Sequence, residues 1–143
     1  MDPVMTVEDL NAFSAAEFPQ LGGVYVVEAL GPMTARVRLR VNDSHLRPGG
    51  TVSGPTIFGL VDCAVYYAIL AMIGPEALTV TTNATVDFMR KPEAGRDLIA
   101  DVELLKLGRV LAVGDVRVVS EGSDDVVARA TLTYSRPPKR NEG

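Results

Sequence analysis

The sequence predicts an α+β domain, a curved antiparallel sheet wrapped around one long central helix. Strict alternation marks Thr34 to Val41. Ala35, Val37, Leu39 and Val41 share one face, and Arg36, Arg38 and Arg40 share the other. One face of the sheet is therefore buried and the other wet. A helix-length apolar stretch follows between Pro48 and Pro75, with Asp62 as the single charge near its middle. After it, strand-like segments succeed one another with turn residues between them, as antiparallel strands do. A helix that is apolar nearly all round must be covered on more than one side, by a strongly curved sheet or by a second subunit.

Taken in order, Thr6 to Phe18 reads as a short helix, with Thr6 as N-cap, Asp9 three residues on and Pro19 as its stop. Val24 to Leu30 and Thr34 to Val41 are strands joined by a turn at Gly31-Pro32. Asn42 to Gly50 is a loop. The central helix starts at Ser53, an N-cap residue type, with Pro55 in the first turn, where a missing amide hydrogen costs nothing. It ends near Ile73, before Gly74-Pro75. Thr79 to Met89 alternates, with Val80, Thr82, Ala84, Val86 and Phe88 against Thr81, Asn83, Thr85, Asp87 and Met89. Asp97 to Lys106, Arg109 to Ser120 and Val126 to Tyr134 are further strands, joined by tight connections at Leu107-Gly108 and Glu121 to Asp124.

A chain of 143 residues suits a single domain: a helix at about 6–18, a core at about 21–135 and a polar tail at 136–143. A net charge of −4 argues against a nucleic-acid partner, which needs a broad basic face, although a local basic cluster can still hold a small anion. One cysteine and one histidine exclude an internal disulfide and any Cys- or His-rich metal site, so no metal and no cofactor are expected. The start of the chain lacks the pattern of a signal peptide. A cytoplasmic protein without a membrane partner is the expectation. The apolar stretch is long enough to span a bilayer, but Gly54, Pro55, Gly59 and Asp62 within it favour a helix buried in protein.

The ordered set Gly50-Thr51-Val52-Ser53-Gly54, Leu60-Val61-Asp62, and Thr81 to Met89 followed by Arg90-Lys91-Pro92-Glu93-Ala94-Gly95 resembles the hotdog-fold acyl-CoA thioesterases. The branch it most resembles is that of the phenylacetate-pathway and small human acyl-CoA thioesterases. The likeness runs from about Leu21 to Tyr134 and includes Leu105 to Val113. It implies a hotdog fold, an acyl-CoA substrate and a homodimer or homotetramer. The family pattern at the helix start is Gly-Thr-X-His-Gly-Gly. Here Ser53 stands at the histidine position, Pro55 at the second glycine, and Arg47 where an upstream asparagine is common. Asp62 matches the family's helix carboxylate, and Thr81 falls where a relative carries a water-orienting serine.

Thioester hydrolysis needs an activated water and stabilisation of the carbonyl oxygen. Asp62 is the candidate general base or direct nucleophile. Thr81 is a candidate to hold the water. The amide of Gly54, at a helix N-terminus, suits an oxyanion, and Pro55 cannot donate. Gly54 and Asp62 are eight residues apart on one helix, roughly 12 Å along its axis, so one thioester carbon cannot sit against both. If both act, they come from two chains across a two-fold axis.

Each candidate has a plainer alternative. Asp62 can be an interfacial carboxylate bonded to backbone or to Tyr66, one turn on. Ser53 suits an N-cap better than a nucleophile. Tyr66 is a core residue or lines an acyl pocket. Arg47, Arg90, Lys91 and Arg109 are a solvated surface or a site for coenzyme A phosphates. Cys63 reads as a packed thiol and His45 as a loop residue. A hotdog protein that binds an acyl-CoA or a related ligand without turnover is the alternative function, and a structural oligomer subunit is a third reading.

Overall fold

The computed structural model describes residues 1–21 and 23–138. The elements are α1 (Val7–Glu17), β1 (Tyr25–Gly31), β2 (Thr34–Leu39), α2 (Gly54–Ile73), β3 (Val80–Phe88), β4 (Leu98–Leu107), β5 (Leu111–Ser120) and β6 (Val126–Ser135). Short 3₁₀ turns at Pro19–Leu21 and Asp43–His45 were not anticipated from the sequence. The polar tail expected from Arg136 lies, beyond residue 138, outside the described residues.

All six strands form one antiparallel sheet in the order β1-β2-β4-β5-β6-β3. Helix α2 lies against its inner face, the hotdog architecture. The helix begins where the sequence dictates. Ser53 Oγ accepts from the Thr56 amide at 3.4 Å, and Pro55 occupies the first turn. It stops at Gly74, whose φ of 101° is a left-handed conformation that side chains resist.

Leu60, Val61, Ala64, Val65, Ala68, Ile69 and Leu70 are fully enclosed, in one core with Val37, Leu39, Leu98, Ala100, Val118 and Leu132 of the sheet. Each large side chain so buried contributes about 1.5–3 kcal/mol. Helix and sheet approach so closely that a Cβ on Gly114 would lie 2.9 Å from Val65 Cγ1. Although α2 is long and apolar enough to cross a membrane, 67% of its most apolar window is buried inside this chain.

The outer face carries charge, as the β2 alternation predicts. Arg36 meets Asp101 at 2.8 Å, and Arg38 gathers Glu28, Asp97 and Glu121. The sheet's two edges are finished differently. On the β1 side, Asn11 of α1 donates from Nδ2 to the Val27 carbonyl at 3.0 Å and accepts from the Val27 amide at 2.9 Å. Its side-chain amide thus occupies the place of a neighbouring strand. On the other side β3 is bare, with Val80 and Phe88 each 55% exposed.

Candidate active site

Asp62 sits halfway along α2 and is half-buried. Its Oδ1 accepts two hydroxyl bonds, from Thr81 Oγ1 at 2.6 Å and from Tyr134 OH at 2.5 Å. The same phenol lies 2.7 Å from the Asp62 carbonyl oxygen. A hydroxyl has one proton, so it serves one of these acceptors at a time. No described group bonds Oδ2. The two donors come from β3 and β6, where Thr81 and Tyr134 are directly opposed and so share a face.

Thr81 reaches the helix because β3 carries a bulge. Thr81 pairs with Tyr134, but the next pair is Asn83 with Thr133 and then Ala84 with Leu132. Thr82 is the extra residue. Strict alternation separates Thr81 from Ala84 and Val86. The bulge shifts the phase, so all three turn toward the buried side chains of β6.

Beside Asp62 opens a cavity of about 440 Å³, with Phe18, Leu21, Tyr66, Tyr67 and Val80 among its lining. Tyr66 donates to the Ala77 carbonyl at 3.1 Å, so the alternative bond from Tyr66 to the Asp62 side chain is replaced by the bond from Tyr134. The Tyr66 ring meets Phe18 edge-on at 5.9 Å and Tyr134 at 6.1 Å. Thr79, in the same wall, has a buried hydroxyl with no partner among the described residues.

Burial pushes the Cys63 thiol up to about 12, and the charge of Asp62 adds to it. It is a packed thiol, as expected. Burial and then the Asp62 charge also raise Tyr134 well above the usual phenol value, so at neutral pH it remains a proton donor.

A second cleft, of about 320 Å³, gathers Arg47, Gly54, Phe88, Arg90 and Lys91 at the start of α2. Gly54 is the first residue of the helix, so its amide has no partner within the helix, and Pro55 has none to offer. Ser53 is committed to capping, with its Oγ 2.8 Å from Thr56 Oγ1. Arg47, Lys91 and Arg90 are exposed, and Arg90 lies 3.5 Å from Asp125.

Arg109 is not in this cleft. It sits on the β4–β5 hairpin, near the Val80 end of β3, since Leu111 and Val80 both pair with Ser135. The structure thus brings Asp62, Thr81 and Tyr66 to one cavity and Gly54, Ser53, Arg47, Arg90 and Lys91 to or beside another. Tyr134 was missed by the sequence reading. Its hydroxyl-bearing ring ends the last strand, and only its long-range pairing with Thr81 betrays it. Among the described residues no group of His, Cys, Asp and Glu is placed to hold a metal ion.

The family model of the thioesterase superfamily matches residues 49–127, which span the helix N-terminus, Asp62 and Thr81. The chain belongs to the thioesterase superfamily. A candidate thioesterase of a Silicibacter species is 54% identical, with 96% of each chain covered and a TM-score of 0.90. A variant of the phenylacetic acid degradation protein of Thermus thermophilus is 30% identical over 83% of this chain and 99% of its own, with a TM-score of 0.70. A candidate esterase of Pseudomonas aeruginosa is 28% identical over 120 residues, 78% of this chain and 88% of the relative. Within the thioesterase superfamily, hydrolysis of a thioester is the general reaction to which this site must answer.

Proposed function

We propose that the protein hydrolyses an acyl-CoA thioester, with Asp62 as the reacting carboxylate and the Gly54 amide, from a second copy, polarising the carbonyl. The observation that carries this reading is the Asp62 carboxylate beside an apolar cavity, with one oxygen held by two hydroxyls and the other unbonded among the described residues. The acyl group enters the cavity past Val80 toward Phe18 and Tyr66. With Asp62 as general base, Oδ2 takes a proton from water while the water oxygen bonds to the thioester carbon. The C–S bond then breaks, and the departing sulfur takes that proton. With Asp62 as nucleophile, Oδ2 bonds to the thioester carbon, the C–S bond breaks and coenzyme A leaves as its thiolate. Water then hydrolyses the anhydride, which restores the carboxylate and releases the acid, and one proton of the water goes to the sulfur. Thr81 retains lone pairs that can hold the water in either case.

Two observations support the second copy. Asp62 and Gly54 open onto different clefts of one chain. The bare edge of β3, with Val80 and Phe88 exposed at its two ends, is where a copy would pair. Antiparallel pairing of the two edges sets the Val80 end of one strand against the Phe88 end of the other. That brings Asp62 of one copy toward Gly54 of the other, and Arg109 toward the cleft of Arg47, Arg90 and Lys91, whose charges suit the phosphates of coenzyme A.

One feature favours the alternative of ligand binding without turnover. The helix start offers one amide fewer, because of Pro55, and Ser53 is occupied by the cap. A panel of acyl-CoA substrates followed with a thiol reagent separates the two. Saturable release of coenzyme A that Asp62→Asn abolishes supports the enzyme. Thermal stabilisation by acyl-CoA without turnover supports the binder.

A further inference from the structure

We propose that Tyr134 is a positioning residue for the reaction, which with Thr81 holds Oδ1 of Asp62 and so reserves Oδ2 for the substrate. The inference rests on the reading of Asp62 as the reacting carboxylate. A carboxylate on a free χ2 presents either oxygen, and half-turns exchange them. Two donors on one oxygen, from two different strands, remove that freedom. Thr81 alone does so weakly, because it lies on the exposed edge strand. Tyr134 is 3% exposed and is fixed on both sides, by Thr81 of β3 and Ala112 of β5.

A purely structural account of Tyr134 does not need the carboxylate. A buried phenol must find an acceptor, and the Asp62 carbonyl 2.7 Å away would suffice. The phenol also reaches the side-chain oxygen, a contact that a purely structural role does not require. Tyr25, whose phenol also comes near this part of α2, makes no described bond to Asp62 and does not share the role. The arrangement also gives the bulge at Thr82 a purpose, since without it Thr81 would not stand beside Tyr134 on the inner face.

The test compares Tyr134→Phe, Thr81→Ala and the double variant with Asp62→Asn, all as the full-length protein and with one good acyl-CoA substrate. Tyr134→Phe is expected to lower kcat about 10- to 100-fold with KM within about threefold, as a misoriented reacting group does. The double variant is expected to lose more than the product of the single losses, because the donors share one oxygen. Fluorinated tyrosines of graded acidity at position 134 keep the ring and the fold. A stronger donor draws charge from Oδ2, so kcat is expected to fall stepwise along the series, which packing alone would not produce.

Full kcat in Tyr134→Phe beside a dead Asp62→Asn overturns the positioning role and leaves the Asp62 reading standing. Full turnover by Asp62→Asn removes both. Should Tyr134→Phe fail to fold, the fluorotyrosine series decides alone, and a flat series overturns the proposal.

Discussion

The two clefts along α2 are built from opposite materials. The one at Asp62 is apolar and aromatic around a single carboxylate, lined by α2, β3, β6 and the turn after α1. The one at Gly54 gathers Arg47, Arg90 and Lys91 around a helix N-terminus. The middle of the helix thus offers a proton acceptor beside an apolar cavity, and its N-terminus offers a backbone donor with cations around it. Hydrolysis of a large anionic thioester needs both, and a single chain keeps them eight residues apart, about 12 Å. On this reading neither cleft alone is the site.

The division of labour fails most completely when the acceptor is removed. Asp62→Asn should lower kcat by about two orders of magnitude or more. Its side-chain oxygen still accepts from Thr81 and Tyr134, so thermal unfolding should move little. Unfolded or fully active protein would each count against the assignment.

Separating the clefts without touching Asp62 or Gly54 is the next step. Val80→Ser with Phe88→Ser strips the exposed apolar groups from the bare edge. Sedimentation should show more monomer at micromolar concentration. Specific activity should fall with it and recover in part as the protein is concentrated, since Val80 and Phe88 also line the two clefts. Activity independent of concentration in a monomer would place both functions in one chain.

A milder perturbation acts on the basic cleft alone. Arg90→Ala with Lys91→Ala should raise KM for acyl-CoA several-fold, about 1 kcal/mol of lost binding, and change kcat less. The KM of the unaltered protein should rise with salt, and that dependence should flatten in the variant. Equal KM in both would leave these charges as surface.

The smallest effects concern buried ionisable groups in and near the Asp62 cleft. Burial raises Cys63, Tyr25 and Tyr66 to about 12 in the folded chain. These groups ionise from their ordinary values only when the chain unfolds. Their contribution to stability is complete below about pH 9 and is lost as pH rises toward 12. Denaturant unfolding at stepped pH should show that decline, less steeply in Cys63→Ala. Alkylation of native Cys63 at neutral pH should be slow until the protein unfolds.

Much of the fold was legible because its signals are local. Ser53, Pro55 and Gly74 delimit α2 by capping and dihedral preference, and Ala35, Val37 and Leu39 announce the inner face by alternation. The hotdog resemblance pointed to Asp62, Gly54 and Thr81 together. What stayed hidden is long-range. The bulge at Thr82 is a property of pairing with β6, and no turn residue marks it. Tyr134 looks like ordinary strand composition until its partner across the sheet is known. Arg109 reads in the sequence as the first residue of a strand and as one of four cations that could share a phosphate site. Its distance from Arg90 and Lys91 is set by the length of β3, since Arg109 lies near the Val80 end and Arg90 follows the Phe88 end.

The Asn11 side chain on Val27 bears on how far strand pairing between copies could extend. A strand edge is a valence, since it accepts another strand without regard to whose it is. Two open edges would make each chain divalent, and divalent units add end to end into fibres. With the Val27 pair taken by a side-chain amide of the chain's own, the β1 edge is interrupted at its middle, and the bare β3 edge is the one left open to a strand. On the proposed pairing of two β3 edges, growth would then terminate after a single union, with both strands' free valences consumed.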